Sequence, residues 1–434
     1  MEVKKVYTRQ LTNMKKLFTG FVLLLPVFNI YASPIEYLSI GELLMFLLMF
    51  LLLADRFMKD RDIVVDKNPF WIYLIYALAA TLISSLIFFS KTGFEWQAMG
   101  IRVVRDSFYF IIIMFFGKWY FDFKYARYLM RKISIILGIF IFFQFFVYRA
   151  VQIYVPNVIP MLKTTVSGGF MGYEIIEAYS LTASLDGFVR AAGFFSEPAV
   201  VAQYMSVSLL LELFPEHEKT NIKLALFYSA AMILTFSVNA YVGLAVCWGL
   251  WGIYSNKNNK KALIRIFSLV VFFAVIGIIM IKNSAMSSVL NRLIDLKNGV
   301  NPHGSSAIRV LRGIAFYYNM PLFYQIFGSG FGNFLQFKEL YKITTIYEMM
   351  DEYMNTNAYI LVSSGIIGFS LFVASIFRRA AGRVIFSKML IIIVLMYGMS
   401  SSIYSSAQFV IMLLFIMYAP KKGEIYGCQD NYTA

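Results

Sequence analysis

Apolar positions in this chain gather into runs of 16 to 24 residues separated by short polar breaks, at 17–32, 36–54, 70–90, 103–121, 133–153, 198–214, 223–238, 239–255, 262–281, 354–377, 387–402 and 404–419. A helix needs about 20 apolar residues to cross a bilayer, so the pattern predicts an all-α polytopic membrane protein of about twelve transmembrane helices. Residues 1–434 read as a single integral membrane domain. Runs seven and eight form one stretch, broken only by Ser237, Val238 and Asn239, where a tight hairpin is expected. The first run is longer than a removable signal needs and no small-residue cleavage site follows it, so it reads as a retained span.

Lys and Arg concentrate on the cytoplasmic side of membrane proteins. With the N-terminus inside, the seven inside segments hold 26 of the 39 basic residues, among them Lys15, Lys16, Arg56, Lys124, Arg131, Arg378, Arg383 and Lys421. Both termini are then cytoplasmic. Two extracytoplasmic loops stand out by length, 154–197 and 282–353, and long loops in compact proteins usually carry function. In the second, Met286, Val289, Leu290, Leu293, Ile294 and Leu296 recur at helical spacing, predicting an interfacial helix before Asn298-Gly299. A second helix is predicted from Ser305 or Ser306 to about Tyr318.

Composition agrees: 59% of residues are hydrophobic and 15% charged, against about 45–50% and 25% in soluble chains. The net charge of +15 follows from the loop asymmetry and contact with anionic lipid, so no nucleic-acid partner is expected. Of the two cysteines, Cys247 falls in an apolar run and Cys428 in the tail, and no bridge is expected between them.

Chemistry-bearing residues cluster in the two long loops. Arg190 and Glu197 lie seven apart in Gly187-Phe188-Val189-Arg190-Ala191-Ala192-Gly193-Phe194-Phe195-Ser196-Glu197-Pro198, where the chain enters the sixth span. They read either as site residues, as a salt bridge, or as Glu197 charging the first turn of that span. Arg309 and Arg312, three apart on the predicted helix, present two guanidinium forks to one side. Such forks bind phosphate oxygens bidentately, and the alternative is a pair of snorkelling arginines. Gly328-Ser329-Gly330-Phe331-Gly332 is a turn whose amides can approach an anion, without the context of a dinucleotide fingerprint or P-loop; the alternative is a plain turn. Asp60-Arg61-Asp62 reads as a solvated cluster, and His217 and His303 stand too far apart for a metal site, so no metal and no cofactor are expected. Glu42, Arg102, Arg105 and Asp106 lie in or beside spans, with Arg105 and Asp106 as a candidate pair or cavity lining.

Twelve spans, two long outer loops, Arg-Ala-Ala-Gly-Phe-Phe-Ser-Glu-Pro at 190–198, Leu234-Thr235-Phe236-Ser237, Arg312 followed by Gly328-x-Gly330-x-Gly332, and Asn355-Thr356-Asn357-Ala358-Tyr359 before Gly365-Ile366-Ile367-Gly368 resemble the O-antigen polymerase and ligase superfamily of bacterial surface-polysaccharide assembly. The resemblance implies a GT-C-like glycosyltransferase bundle in the bacterial inner membrane, acting on undecaprenyl-diphosphate-linked oligosaccharide at the outer face without a metal. A chain-length regulator and a flippase of the same pathway are the implied partners. Arg190, Arg309 and Arg312, with Gly328 and Gly330, would hold diphosphate and sugar, and Glu197 would act beside Arg190 as the base. Ligases of this superfamily carry a histidine near the tenth span, where this chain has Asn355 and Asn357, which leans toward a polymerase. The competing classes are the ligase and a lipid-linked oligosaccharide flippase or other transporter, which fits twelve spans equally well.

Overall fold

The computed structural model describes residues 2–35, 38–59, 68–92, 96–153, 155–159, 161–168, 172–176, 190–216, 219–254, 305–345 and 354–423. The run at 262–281, the helix predicted over 284–298, Asp60, Asp62, His217 and His303 lie outside them. The other eleven runs are helical. In chain order these are α1 (Glu2–Phe28), α2 (Ile40–Met58), α3 (Phe70–Thr92), α4 (Trp96–Ile111) continued by a π-helical turn (Ile112–Phe116) and α5 (Gly117–Tyr120), α6 (Phe123–Val151), α7 (Pro198–Leu213), α8 (Ile222–Leu234) and α9 (Val238–Tyr254). After them come α10 (Ser305–Tyr318), α11 (Leu322–Phe327), α12 (Phe334–Tyr341), α13 (Thr356–Ala380), α14 (Ile385–Ser400) and α15 (Ala407–Tyr418). The expected hairpin at 237–239 is present: α8 ends at Leu234, Phe236 takes a left-handed φ of 49°, and α9 starts at Val238.

Among the described residues three helices are long and apolar enough to cross a membrane, Phe70–Phe89, Phe123–Val151 and Thr356–Ala380, and five shorter apolar ones accompany them. The apolar belt faces outward as well as inward: Phe50 is 65% and Ile75 62% exposed, beside Met45 and Tyr73 at 0%. A surface of that kind is stable only against hydrocarbon, and the chain is a membrane-embedded helical protein. The core helix is α7, buried continuously from Val201 to Leu213 and packed on α6, α8, α9 and α14.

The described fold is mostly helical, with one short antiparallel hairpin of β1 (Thr164–Gly168) and β2 (Gly172–Ile176) in the first long segment, Thr164 opposite Ile176. The hairpin is tied to the α1–α2 turn by a bridge between Tyr31 and Thr164 and by the Ala32 amide donating to the Lys163 carbonyl (3.0 Å).

Bridges and hydrogen bonds join several turns at the end of the bundle where α7 starts: the α1–α2 turn meets the first long segment at Tyr31 and Thr164, Tyr397 near the end of α14 reaches Ala202 early in α7, and the first residues of α9 and α13 both meet Ser401, just after α14. At the opposite end Arg131 makes a bidentate pair with buried Glu212, Nε to Oε1 at 2.7 Å and Nη2 to Oε2 at 2.8 Å. There too the π-helical turn offsets two carbonyls from the regular ladder, and the Tyr418 hydroxyl donates to both, Ile113 at 2.9 Å and Met114 at 3.4 Å.

Candidate functional site

Arg190 is half-buried at the start of a tightly held segment: Ala191, Ala192, Gly193 and Phe195 behind it are buried. Gln144 on α6 fixes this segment from both sides, its Oε1 accepting from the Gly193 amide (2.8 Å) and its Nε2 donating to the Gly193 carbonyl (3.1 Å). Asn157 Nδ2 donates to the Phe195 carbonyl at 2.6 Å. The chain therefore enters α7 along a set path, with Glu197 as N-cap and Pro198 at the first helical position. The Glu197 carboxylate is exposed and accepts no hydrogen bond from the first turn.

Arg312 is buried, 4% exposed, on α10, the helix predicted from Ser305 to Tyr318. That helix is locked to the start of α13. Asn355 caps α13 by accepting from the Ala358 amide (2.9 Å) and donates through Nδ2 to the Val310 carbonyl (3.0 Å). Gly313 lies so close that a Cβ there would sit 2.6 Å from the Ala358 Cβ. Arg309 is one turn earlier on α10. Asn355 thus does capping work, and Asn357 donates to the Leu395 carbonyl at 3.2 Å, so both asparagines are used by the fold.

The glycine-rich turn enters the bundle to the middle of α3 and α13, where α13 is broken. Gly365 has φ 64° and ψ −175°, a region open essentially to glycine alone. The break deprives the Val362 and Ser363 carbonyls of their helical donors. Ser329 N (2.9 Å) and Gly330 N (2.8 Å) supply replacements, while Gly328 N donates to Tyr324 O and Phe331 N to Thr81 Oγ1 (2.9 Å). All four amides are therefore occupied. The expectation that Gly328 and Gly330 cradle an anion gives way: these glycines close a broken helix, because any side chain at Gly328 would meet the Ser363 carbonyl oxygen at 2.3 Å.

Two polar groups on α4 went unassigned in the sequence. Arg105 Nε meets Glu42 Oε1 at 3.2 Å, and Tyr109 donates to the same oxygen at 2.9 Å. Glu42 also completes the capping box of α2 with Ser39. Asp106 instead accepts from Tyr359 on α13 (3.3 Å) and from Ser405, while Arg102 Nε donates to the Tyr359 hydroxyl (3.0 Å) with its guanidinium 4.9 Å from that ring's centroid. The signal was present in the spacing: 102, 105, 106 and 109 trace one helical face.

The helices next to the two candidate segments are joined by hydrogen bonds. Tyr397 on α14 donates to Ala202 O of α7 (3.2 Å), Asn239 on α9 reaches Ser401 Oγ (2.8 Å), and the Ser401 carbonyl accepts from Thr356 N of α13 (3.0 Å). Among the described residues no three His, Cys, Asp or Glu side chains group as a metal site requires. Neither a protein-family model nor a curated protein matches the chain.

Proposed function

We propose that the chain is a polysaccharide polymerase of the O-antigen or capsule type, a metal-independent membrane glycosyltransferase. It transfers a growing glycan from undecaprenyl diphosphate onto a lipid-linked repeat unit at the outer face of the bacterial inner membrane. The observation that carries the reading is Arg312, 4% exposed on α10, the helix locked to the start of α13. An ionisable group held inside a membrane bundle is a functional-site candidate by default. In this reading the helices are part of twelve spans with cytoplasmic termini, and the end holding Arg190 and Arg312 faces outward.

The chemistry needs little more than positioned charge. As the anomeric carbon–oxygen bond breaks, negative charge builds on the departing diphosphate, and Arg190, Arg309 and Arg312 stabilise it in a water-poor site. The acceptor hydroxyl forms the new bond and loses its proton to Glu197. Arg→Lys at 190 or 312 keeps charge but loses the fork, so the ladder of polymer lengths should collapse to single units while an immunoblot shows normal protein. Near-normal ladders from Arg190→Ala and Arg312→Ala would overturn the reading.

A second reading, a lipid-linked oligosaccharide flippase, is favoured by the broken helix α13, since transporters place substrate at helix breaks near mid-bundle. Against it, the break is filled by the protein's own Ser329 and Gly330 amides. The saccharide that accumulates on deletion separates these classes: single repeat units outside indicate a polymerase, intact lipid-linked polymer a ligase, and units held inside a flippase.

A further inference from the structure

From Met354 to Gly423 the chain carries six basic residues, Arg378, Arg379, Arg383, Lys388, Lys421 and Lys422, and neither Asp nor Glu. The fold gathers them at one junction. α13 ends at Ala380, just past Arg378 and Arg379, Lys388 lies in the first turn of α14, and Lys421 and Lys422 follow α15. The turn between α13 and α14 is tied to the segment after α15. Arg383 and Lys421 form an antiparallel bridge, the Lys422 amide donates to the Gly382 carbonyl (2.8 Å), and the Val384 amide donates to the Pro420 carbonyl (3.2 Å). Ser387 Oγ adds a bond to the Ile416 carbonyl (2.8 Å). Arg383 is spent on closing this junction, with Nε donating to the Arg379 carbonyl at 2.9 Å and Nη1 to the Ala419 carbonyl. Arg378, Lys388, Lys421 and Lys422 stand exposed around it.

Charge and place together say what meets this cluster. The junction lies beside the start of α6, where Phe123 touches Phe386 and Phe121 touches Tyr418, ring centroids 6.2 Å apart in both pairs. The carboxylates at that end have other work: Asp122 caps α6 through the Tyr125 amide, and Glu212 is held by Arg131. Cations crowded without a carboxylate in their own segments repel one another and attract an anion from outside. The same helices are apolar at the surface immediately beyond the cluster. Phe377, beside Arg378, is 53% exposed, and Ile392, one turn after Lys388, is 42% exposed. The cations therefore mark the edge of the apolar belt, the depth at which phospholipid headgroups sit.

We propose that the junction of α13, α14 and the segment after α15 binds an anionic phospholipid, its phosphodiester meeting Arg378, Lys388 and Lys422 and its acyl chains lying against the apolar surface of α13 and α14. This site stands apart from the residues assigned to glycosyl transfer and does not depend on that reading.

The test is calorimetric titration of the purified full chain in a neutral detergent with dioctanoyl phosphatidylglycerol, with dioctanoyl phosphatidylcholine and glycerol phosphate as separate arms. The triple variant Arg378→Gln, Lys388→Gln, Lys422→Gln removes three exposed side-chain charges and none of the hydrogen bonds that build the junction. A cation near an anionic headgroup is worth about fivefold in affinity, so the triple variant should bind phosphatidylglycerol about 30- to 100-fold more weakly. Each single variant should show one step of about fivefold, which keeps the test open if the triple variant does not fold. A comparison triple, Lys132→Gln, Lys219→Gln, Lys223→Gln, removes the same charge from exposed positions at the same end of the bundle. Screening by salt confines its effect to less than about threefold. Equal weakening by both triples would reduce the site to the general attraction of a basic surface and overturn it, as would wild-type affinity in the first. Phosphatidylcholine binding as tightly as phosphatidylglycerol would show that only the apolar flanks are used, and glycerol phosphate binding as tightly would show a water-soluble anion in place of a lipid. Either result overturns the assigned ligand.

Discussion

Replacing Gly365 by alanine tests whether the glycine turn is a structural closure of α13. The backbone there lies in a region where a side chain costs on the order of 1–3 kcal/mol by itself. The added Cβ would stand 2.2 Å from the Ile326 carbonyl oxygen and 2.7 Å from Gly328 N, all backbone, so the turn must move. Moving it draws Ser329 N and Gly330 N off the Val362 and Ser363 carbonyls, and each buried group left without its partner costs about 1–3 kcal/mol. These terms share atoms and do not add fully, which puts the loss on the order of 5 kcal/mol. Two other glycines separate the causes. Gly382 has φ 76° with nothing within 4 Å, so Gly382→Ala meets strain alone, about 1 kcal/mol. Gly249, inside α9 and equally open, should gain about 0.5–1 kcal/mol as alanine.

The assay is thermal unfolding in detergent, read by a thiol-reactive dye that reaches buried Cys247 only when the bundle opens, in a Cys428→Ser background. Midpoints should fall in the order Gly249→Ala, wild type, Gly382→Ala, then Gly365→Ala by a wide margin. Equal midpoints for Gly365→Ala and Gly382→Ala would show that the packed turn contributes nothing beyond strain, and the account of the break would fail.

At the other end, Arg131→Ala strands the buried Glu212 carboxylate and should cost about 3–5 kcal/mol in denaturant unfolding. Glu212→Gln leaves Arg131, a third exposed, able to reach water, so the cost there should be smaller; the reverse order would refute the pairing. Cysteines replacing Ser180 and Val300 should react with an impermeant thiol reagent in intact spheroplasts while those replacing Val64 and Asn259 do not, and labelling at 64 but not at 300 would invert the proposed orientation. Extension of a lipid-linked repeat unit should continue in excess chelator, and loss restored by magnesium would return attention to Asp60 and Asp62. Alanine at Lys338 or Lys342, in the same long segment as Arg312, should leave the polymer ladder unchanged.

Hydropathy located helices well where a helix is apolar from end to end, as in α3, α6 and the α8–α9 hairpin, because bilayer burial and helix formation then demand the same residues. It lost them where those demands separate. The run assigned to 103–121 is part of a rod that begins at Trp96, and its first two turns were passed over because Gln97 and Arg102 interrupt the apolar pattern. Leu322–Phe327 was read as loop, since six apolar residues cannot span. Tyr324 there packs instead on Phe88 of α3 and on Phe337. The strands at 164–168 and 172–176 are too short to stand out from a polar loop.

The candidate site divides along the same physical line. Arg312 and the helix bearing it were legible because they depend on residues three and four apart. Asn355, by contrast, works across 45 positions to Val310, Tyr359 across 253 to Asp106, and Phe331 across 250 to Thr81. Contacts at such separations depend on which helices become neighbours, and hydropathy does not encode that choice. The setting of the Gly328 turn is hidden from the sequence for this reason: its glycines look available for a ligand only while the break at Gly365 is out of view. Once α13 is broken, its freed carbonyls compete for those amides from a fixed position, and a ligand arriving from solvent would have to displace hydrogen bonds already made. In the proposed transferase reading the anion therefore has to be met by side chains, and Arg190, Arg309 and Arg312 are the ones offered for it.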